Sequence, residues 1–85
     1  MTKSAFSAPY ANVLKLLIKV RQEQGVSQTA LAQRLGRTQP FISDIERGER
    51  RIDIVEFYAI CRAMGLDPSE VFQQVIATFP PTLRI

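Results

Sequence analysis

The chain has 85 residues, with 11 Lys and Arg against 8 Asp and Glu, a formal charge of +3, and 46% hydrophobic side chains. That length allows a single domain, expected to run over 1–85, and the composition is that of an ordinary globular protein, neither disordered nor fibrous. With no histidine and one cysteine, the chain has no Cys-His pair, Ser-His triad or zinc site and no intramolecular disulfide, so enzymatic, metal and cofactor chemistry are not expected.

The first helix is expected from about Pro9 to Gln24. Tyr10, Val13, Leu14, Leu17, Ile18 and Arg21 recur at the spacing of one helical face, with Pro9 suited to the first turn and Gly25 to the position past the end. Ser27 then caps a short second helix carrying Leu31, Ala32 and Leu35, which Gly36 stops after about two turns. Thr38 is expected to cap the third helix, Gln39 to Arg47. Pro40 lies in its first turn, Phe41, Ile42 and Ile45 supply apolar contacts, and Gly48 ends it.

A polar loop from Arg47 to Arg51 leads to Asp53 and Glu56, which read as a capping box for the fourth helix. Ile54, Phe57, Tyr58, Cys61 and Met64 are expected to share its inner face, with Gly65 at the end; Cys61 reads as core packing. Asp67, Pro68 and Glu70 open a fifth helix with Val71, Phe72, Val75, Ile76 and Phe79 along its stripe. Pro80 and Pro81 cannot continue it, so the helical core is expected over 9–79, with 80–85 a tail, extended or disordered. No segment alternates with period two, repeats or is of low complexity, so the fold is read as all-α with five helices.

Charge is unevenly distributed along the chain. Through Arg51 there are nine basic against four acidic side chains, +5; from Ile52 onward there are two against four, −2. The polarity points to an anionic partner for the first two-thirds and another role for the rest. No apolar stretch approaches the roughly 20 residues of a membrane helix, and no secretory h-region opens the chain. A soluble cytoplasmic protein is expected.

Two short helices joined at Gly36 form a helix-turn-helix, with the small Ala32 where the helices approach and Ile42 and Ile45 facing inward. The stretch SQTALAQRLGRTQPFISDIERGERRIDIVEF, preceded by RQEQG, resembles the phage repressor and Cro-like helix-turn-helix regulators. The likeness covers roughly Leu17 to Val75, through Gln28, Ala32, Gly36, Ile42 and Ile45 and the run Ile-Glu-Arg-Gly. It implies a lambda-repressor-like domain of bacterial or phage origin whose third helix enters the major groove of double-stranded DNA.

On that resemblance, Gln39 is the leading base contact, able to pair bidentately with adenine, followed by Pro40, Ser43 and Asp44. The acid at Asp44 departs from the polar or basic residue usual in the family. Phosphate contacts are expected from Gln28 at the start of the second helix and from Arg37, Thr38, Arg47, Arg50 and Arg51. Arg21 ends the inner stripe of the first helix and needs a partner. The resemblance implies a structural salt bridge with Glu46.

A domain this small is marginal alone, and one recognition helix covers few base pairs, so a homodimer on a palindromic operator is expected. Its interface is placed on Val75, Ile76 and Phe79, with the tail. The function read is a sequence-specific transcriptional regulator, as repressor or autoregulator, with no small-molecule ligand evident. Phage repressor, restriction-modification controller and antitoxin differ in genomic context rather than fold. The alternative is a protein-interaction module, such as an antitoxin binding its partner through the fifth helix and tail.

Overall fold

The computed structural model describes residues 7–85. Five helices follow in order, with no strand among the described residues: α1 (Ala8–Glu23), α2 (Gln28–Arg34), α3 (Gln39–Glu46), α4 (Ile54–Ala63) and α5 (Pro68–Ile76).

Side-chain caps account for most of the helix starts. The Ser7 hydroxyl accepts from Tyr10 N–H at 3.3 Å, so α1 begins one residue before Pro9, and its last helical residue is Glu23 rather than Gln24. Ser27 accepts from Ala30 N–H at 3.0 Å. At α4 the Asp53 carboxylate accepts from Glu56 N–H at 2.7 Å while the Glu56 carboxylate accepts from Asp53 N–H at 3.0 Å, the reciprocal capping box. Thr38 departs from expectation. It occupies the N-cap of α3 with extended backbone, but its side chain makes no capping hydrogen bond. Its backbone carbonyl accepts from Phe41 N–H at 3.0 Å, and Pro40 in the first turn has no N–H to satisfy.

The turn between α2 and α3 depends on Gly36. At φ +69° the residue lies in the left-handed region that an L side chain resists. Gly36 N–H reaches Gln33 O at 3.1 Å and Arg37 N–H reaches Ala32 O at 2.9 Å. These two bonds satisfy carbonyls that the end of α2 would otherwise leave free.

The core joins all five helices. Leu14, Leu17 and Val20 of α1, Leu31 and Ala32 of α2, Ile42 and Ile45 of α3, Ile60 and Cys61 of α4, and Val71 and Val75 of α5 are buried. Cys61 is fully enclosed, and burial pushes its thiol up to about 11. In the native protein at pH 8, a thiol reagent should therefore modify Cys61 only as fast as the fold opens. Stoichiometric labelling within the mixing time would contradict this placement.

Three expectations for the C-terminal third are corrected. Ile54 and Tyr58 do not share the inner face of α4: they are 80% and 52% exposed. The inward row is Phe57, Ile60, Cys61 and Met64, which keeps the three-and-four spacing one step around the helix. The fifth helix stops at Ile76, leaving Phe79 outside it. Ala77 is its C-cap, and the Thr78 hydroxyl donates to Val75 O at 2.7 Å, taking up a carbonyl at the end; Pro80 also disfavours helical backbone at Phe79. Val75 is buried at 3% exposure and closes the core, so its side chain is not available to a partner.

Candidate nucleic-acid interface

Helix α3 presents two faces. Ile42 and Ile45 are buried, while Gln39, Pro40, Ser43, Asp44 and Arg47 fall at i, i+1, i+4, i+5 and i+8 along the opposite side. Gln39 and Pro40 are exposed in the first turn, Ser43 and Asp44 are half-buried one turn on, and Arg47 is exposed at the C-cap.

A chain of polar contacts runs from the core to this face. Arg21 donates through Nε to Glu46 Oε2 at 2.7 Å and through Nη2 to Oε1 at 3.0 Å, and its Nη1 donates to Val26 O at 2.9 Å. The ion pair is largely buried, with side-chain exposures of 11% and 12%, and ties α1 to α3. Gln28 donates through Nε2 to Glu46 Oε1 at 2.8 Å, and its Oε1 accepts from Gln39 Nε2 at 2.7 Å. The orientation of Gln39 is therefore set, through Gln28, by a carboxylate anchored in the core. The Gln28 side chain is engaged at both ends. Its backbone N–H stands at the start of α2, in the first turn, where a helix leaves N–H groups without an intrahelical acceptor.

Aromatic rings position the arginines at the two ends of α3. The Arg37 guanidinium lies 4.1 Å and the Arg50 guanidinium 4.7 Å from the centre of the Phe41 ring. Arg51 lies 4.7 Å from the centre of the Tyr10 ring, whose hydroxyl accepts from Ile52 N–H at 3.1 Å. Stacking of this kind holds a flexible cation over a defined patch of surface. Nothing local in the sequence marks these contacts. Tyr10 lies on the first helix, and Phe41 reads equally well as a core residue of α3.

Two of the predicted phosphate contacts already have anionic partners. Arg47 donates to Asp44 Oδ1 at 2.6 Å and to Ser43 Oγ at 2.5 Å. Arg50 donates to both oxygens of Glu56, at 3.1 and 2.8 Å, and to Arg51 O at 3.0 Å. Arg50 and the backbone N–H of Asp53 together draw the Glu56 carboxyl from its ordinary 4.5 down to about 2.

Because the native value is the lower one, this contribution to stability is complete above about pH 4.5 and is lost as pH falls from there through about 2. Glu56→Gln retains a side chain that can cap α4 but removes the charge, so it should lower the melting temperature at pH 7 and converge on wild type only as pH falls to about 2. Melts at both pH values decide the point, and a constant difference between the proteins would rule out the Arg50–Glu56 account.

Known proteins resemble this chain in sequence and fold. A family model described as helix-turn-helix covers residues 17–71. An uncharacterized HTH-type transcriptional regulator, y4dJ, of Sinorhizobium fredii is 30% identical over 53 residues, spanning 62% of this chain and 69% of that protein. An XRE-family-like protein from Pseudomonas syringae pv. tomato superposes with a TM-score of 0.80 at 42% identity, covering 86% of this chain and 89% of its own. The restriction-modification controller protein C.Esp1396I, as a tetramer in complex with its natural 35 base-pair operator, superposes with a TM-score of 0.76 at 26% identity, covering 85% and 95%.

Proposed function

The chain belongs to the helix-turn-helix family of DNA-binding transcriptional regulators, which are not enzymes, and we propose that it binds a two-fold-symmetric operator as a homodimer, α3 entering the major groove, and acts as a repressor or autoregulator. The observation that carries this reading is the polar row Gln39, Ser43, Asp44 and Arg47 on the outward face of α3, with Gln39 oriented through Gln28 and Glu46. A side chain held in place before binding loses less freedom on meeting a base edge. Gln39 is the adenine reader in this scheme, with Pro40, Ser43 and Asp44 beside it. Arg37, Arg50 and Arg51, with Thr38 and Gln28, take the phosphates on either side. The operator-bound state of C.Esp1396I supports the DNA reading.

The dimer face is redrawn from the sequence expectation. Val75 drops out as a core residue, while Ile76 remains with Phe79, and Ile54, Val55, Tyr58 and Phe72 add exposed apolar surface on α4 and α5. Exposed apolar side chains in this number favour association, and paired recognition helices need a separation of about 34 Å along the duplex.

The test is selection from random duplexes at about 150 mM salt, read beside sedimentation of the free protein. A dimer and a palindromic motif are expected, and Gln39→Ala should relax one adenine position per half-site by about tenfold. A monomer that enriches no sequence would reject the regulator reading and favour a protein-interaction module acting through α5 and the tail.

A further inference from the structure

The sequence reads Arg47 as a phosphate contact, but its surroundings suit a different target. We propose that Arg47, braced by Ser43 and Asp44, reads a guanine in each half-site, about two base pairs from the base met by Gln39. The inference rests on the operator-binding reading above and refines it.

Three observations converge. First, Arg47 lies on the same face of α3 as Gln39 and Ser43, at i+8 and i+4 from Gln39. Second, its guanidinium folds back over that face rather than extending beyond the helix end, because Nη1 donates to Ser43 Oγ and Nη2 to Asp44 Oδ1. The head group thus sits level with the turn of Ser43. Four residues at about 1.5 Å each place it about 6 Å along the axis from Gln39, near two base steps at about 3.4 Å per step. Third, the Asp44 carboxylate at 2.6 Å cancels the local charge of Arg47.

That cancellation separates the two targets. A phosphate approaching Arg47 also meets the Asp44 carboxylate, so the pair offers it little net attraction. Guanine presents two neutral acceptors, O6 and N7, at the spacing of the guanidinium fork. The brace uses two of the five N–H donors of Arg47 and leaves three, enough for a bidentate contact. Fixing the plane of the group also removes rotamer freedom before binding. Asp44 acts here as a positioning residue: it aims Arg47 and discourages binding where no guanine repays the exposed carboxylate.

The experiment compares base preferences selected by wild type, Arg47→Ala, Arg47→Lys and Asp44→Ala, with circular dichroism to confirm folding. Arg47 and Asp44 side chains are 59% and 45% exposed, so the variants should keep the fold. Wild type should show a guanine column two positions from the adenine column. Arg47→Ala should flatten that column by about tenfold or more and spare the adenine. Arg47→Lys should flatten it too, since an ammonium keeps the charge but not the planar fork. Asp44→Ala should blur the same column while raising affinity for random duplex. Full retention of the motif by Arg47→Lys, or uniform weakening of all sequences by Arg47→Ala, would establish a phosphate contact and overturn the proposal while leaving the operator reading intact. Absence of any wild-type motif would overturn both.

Discussion

Glu46→Ala should destabilise the protein by about 3 kcal/mol or more, the range for removing one partner of a buried ion pair. At about 4–8 °C per kcal/mol for a domain of this size, the melting temperature should fall by about 12 °C or more. The physical reason is the state of Arg21 once Glu46 is gone. Arg21 is only 9% exposed, keeps a single bond to Val26 O, and would hold an uncompensated charge among α1 and α3 side chains. Gln28 would be left without its acceptor as well.

Urea denaturation at neutral pH measures the loss, and a change below about 1 kcal/mol would show that the pair is no more than a surface contact. Replacing both charges, as Arg21→Met with Glu46→Leu, should recover much of the stability, since no buried charge then remains unpaired. The same double variant should still bind DNA poorly, because Gln28 and Gln39 no longer have the anchor that orients them.

The second large effect concerns Arg37 and Arg50. Alanine at both positions should reduce duplex affinity by about tenfold or more near 150 mM salt, roughly tenfold for the charged hydrogen bond of Arg37 and less for Arg50, which must give up part of its pairing with Glu56. The dependence of log affinity on log salt should flatten by between about one and two: a full unit for Arg37 and part of one for Arg50, whose charge Glu56 already offsets in the free protein. Phe41→Leu separates charge from orientation. It leaves both cations but removes the ring on which they stack, so affinity should fall severalfold with the salt slope unchanged. An unaltered slope in the double alanine variant would remove both arginines from the DNA interface.

Arg50 illustrates how such side chains are restrained in the free protein. It is held by Glu56, which also caps α4. On the proposed reading, a phosphate arriving at Arg50 would share or replace that carboxylate, while the capping bond to Asp53 N–H can persist.

Local chemistry made most of the fold legible. Ser27, Asp53 and Asp67 mark helix starts because their side chains accept backbone N–H groups a few residues on, and each is seen to do so. Gly36 marks the turn because only positive φ lets the chain reverse there. The same local logic misjudged Thr38, whose side chain does not cap α3. It also overextended α5, because Val75, Ile76 and Phe79 continue an apolar period that the Thr78 bond and Pro80 interrupt. On α4 the apolar residues outnumber the positions the core can cover. Periodicity alone does not say that Phe57 and Ile60 turn inward while Ile54 and Tyr58 remain outside.

For the candidate interface, sequence by itself determined the helix-turn-helix, the outward residues of α3 and the excess of arginine around it, because these follow from spacing within one or two short helices. Tertiary structure alone decided what those residues touch. It joined Gln39 through Gln28 to Glu46, set Arg37 and Arg50 on Phe41, placed Arg51 on Tyr10 and withdrew Val75 into the core. Most of these contacts join different helices or loops, and their geometry depends on how α1 to α5 pack, which no local pattern of residues encodes.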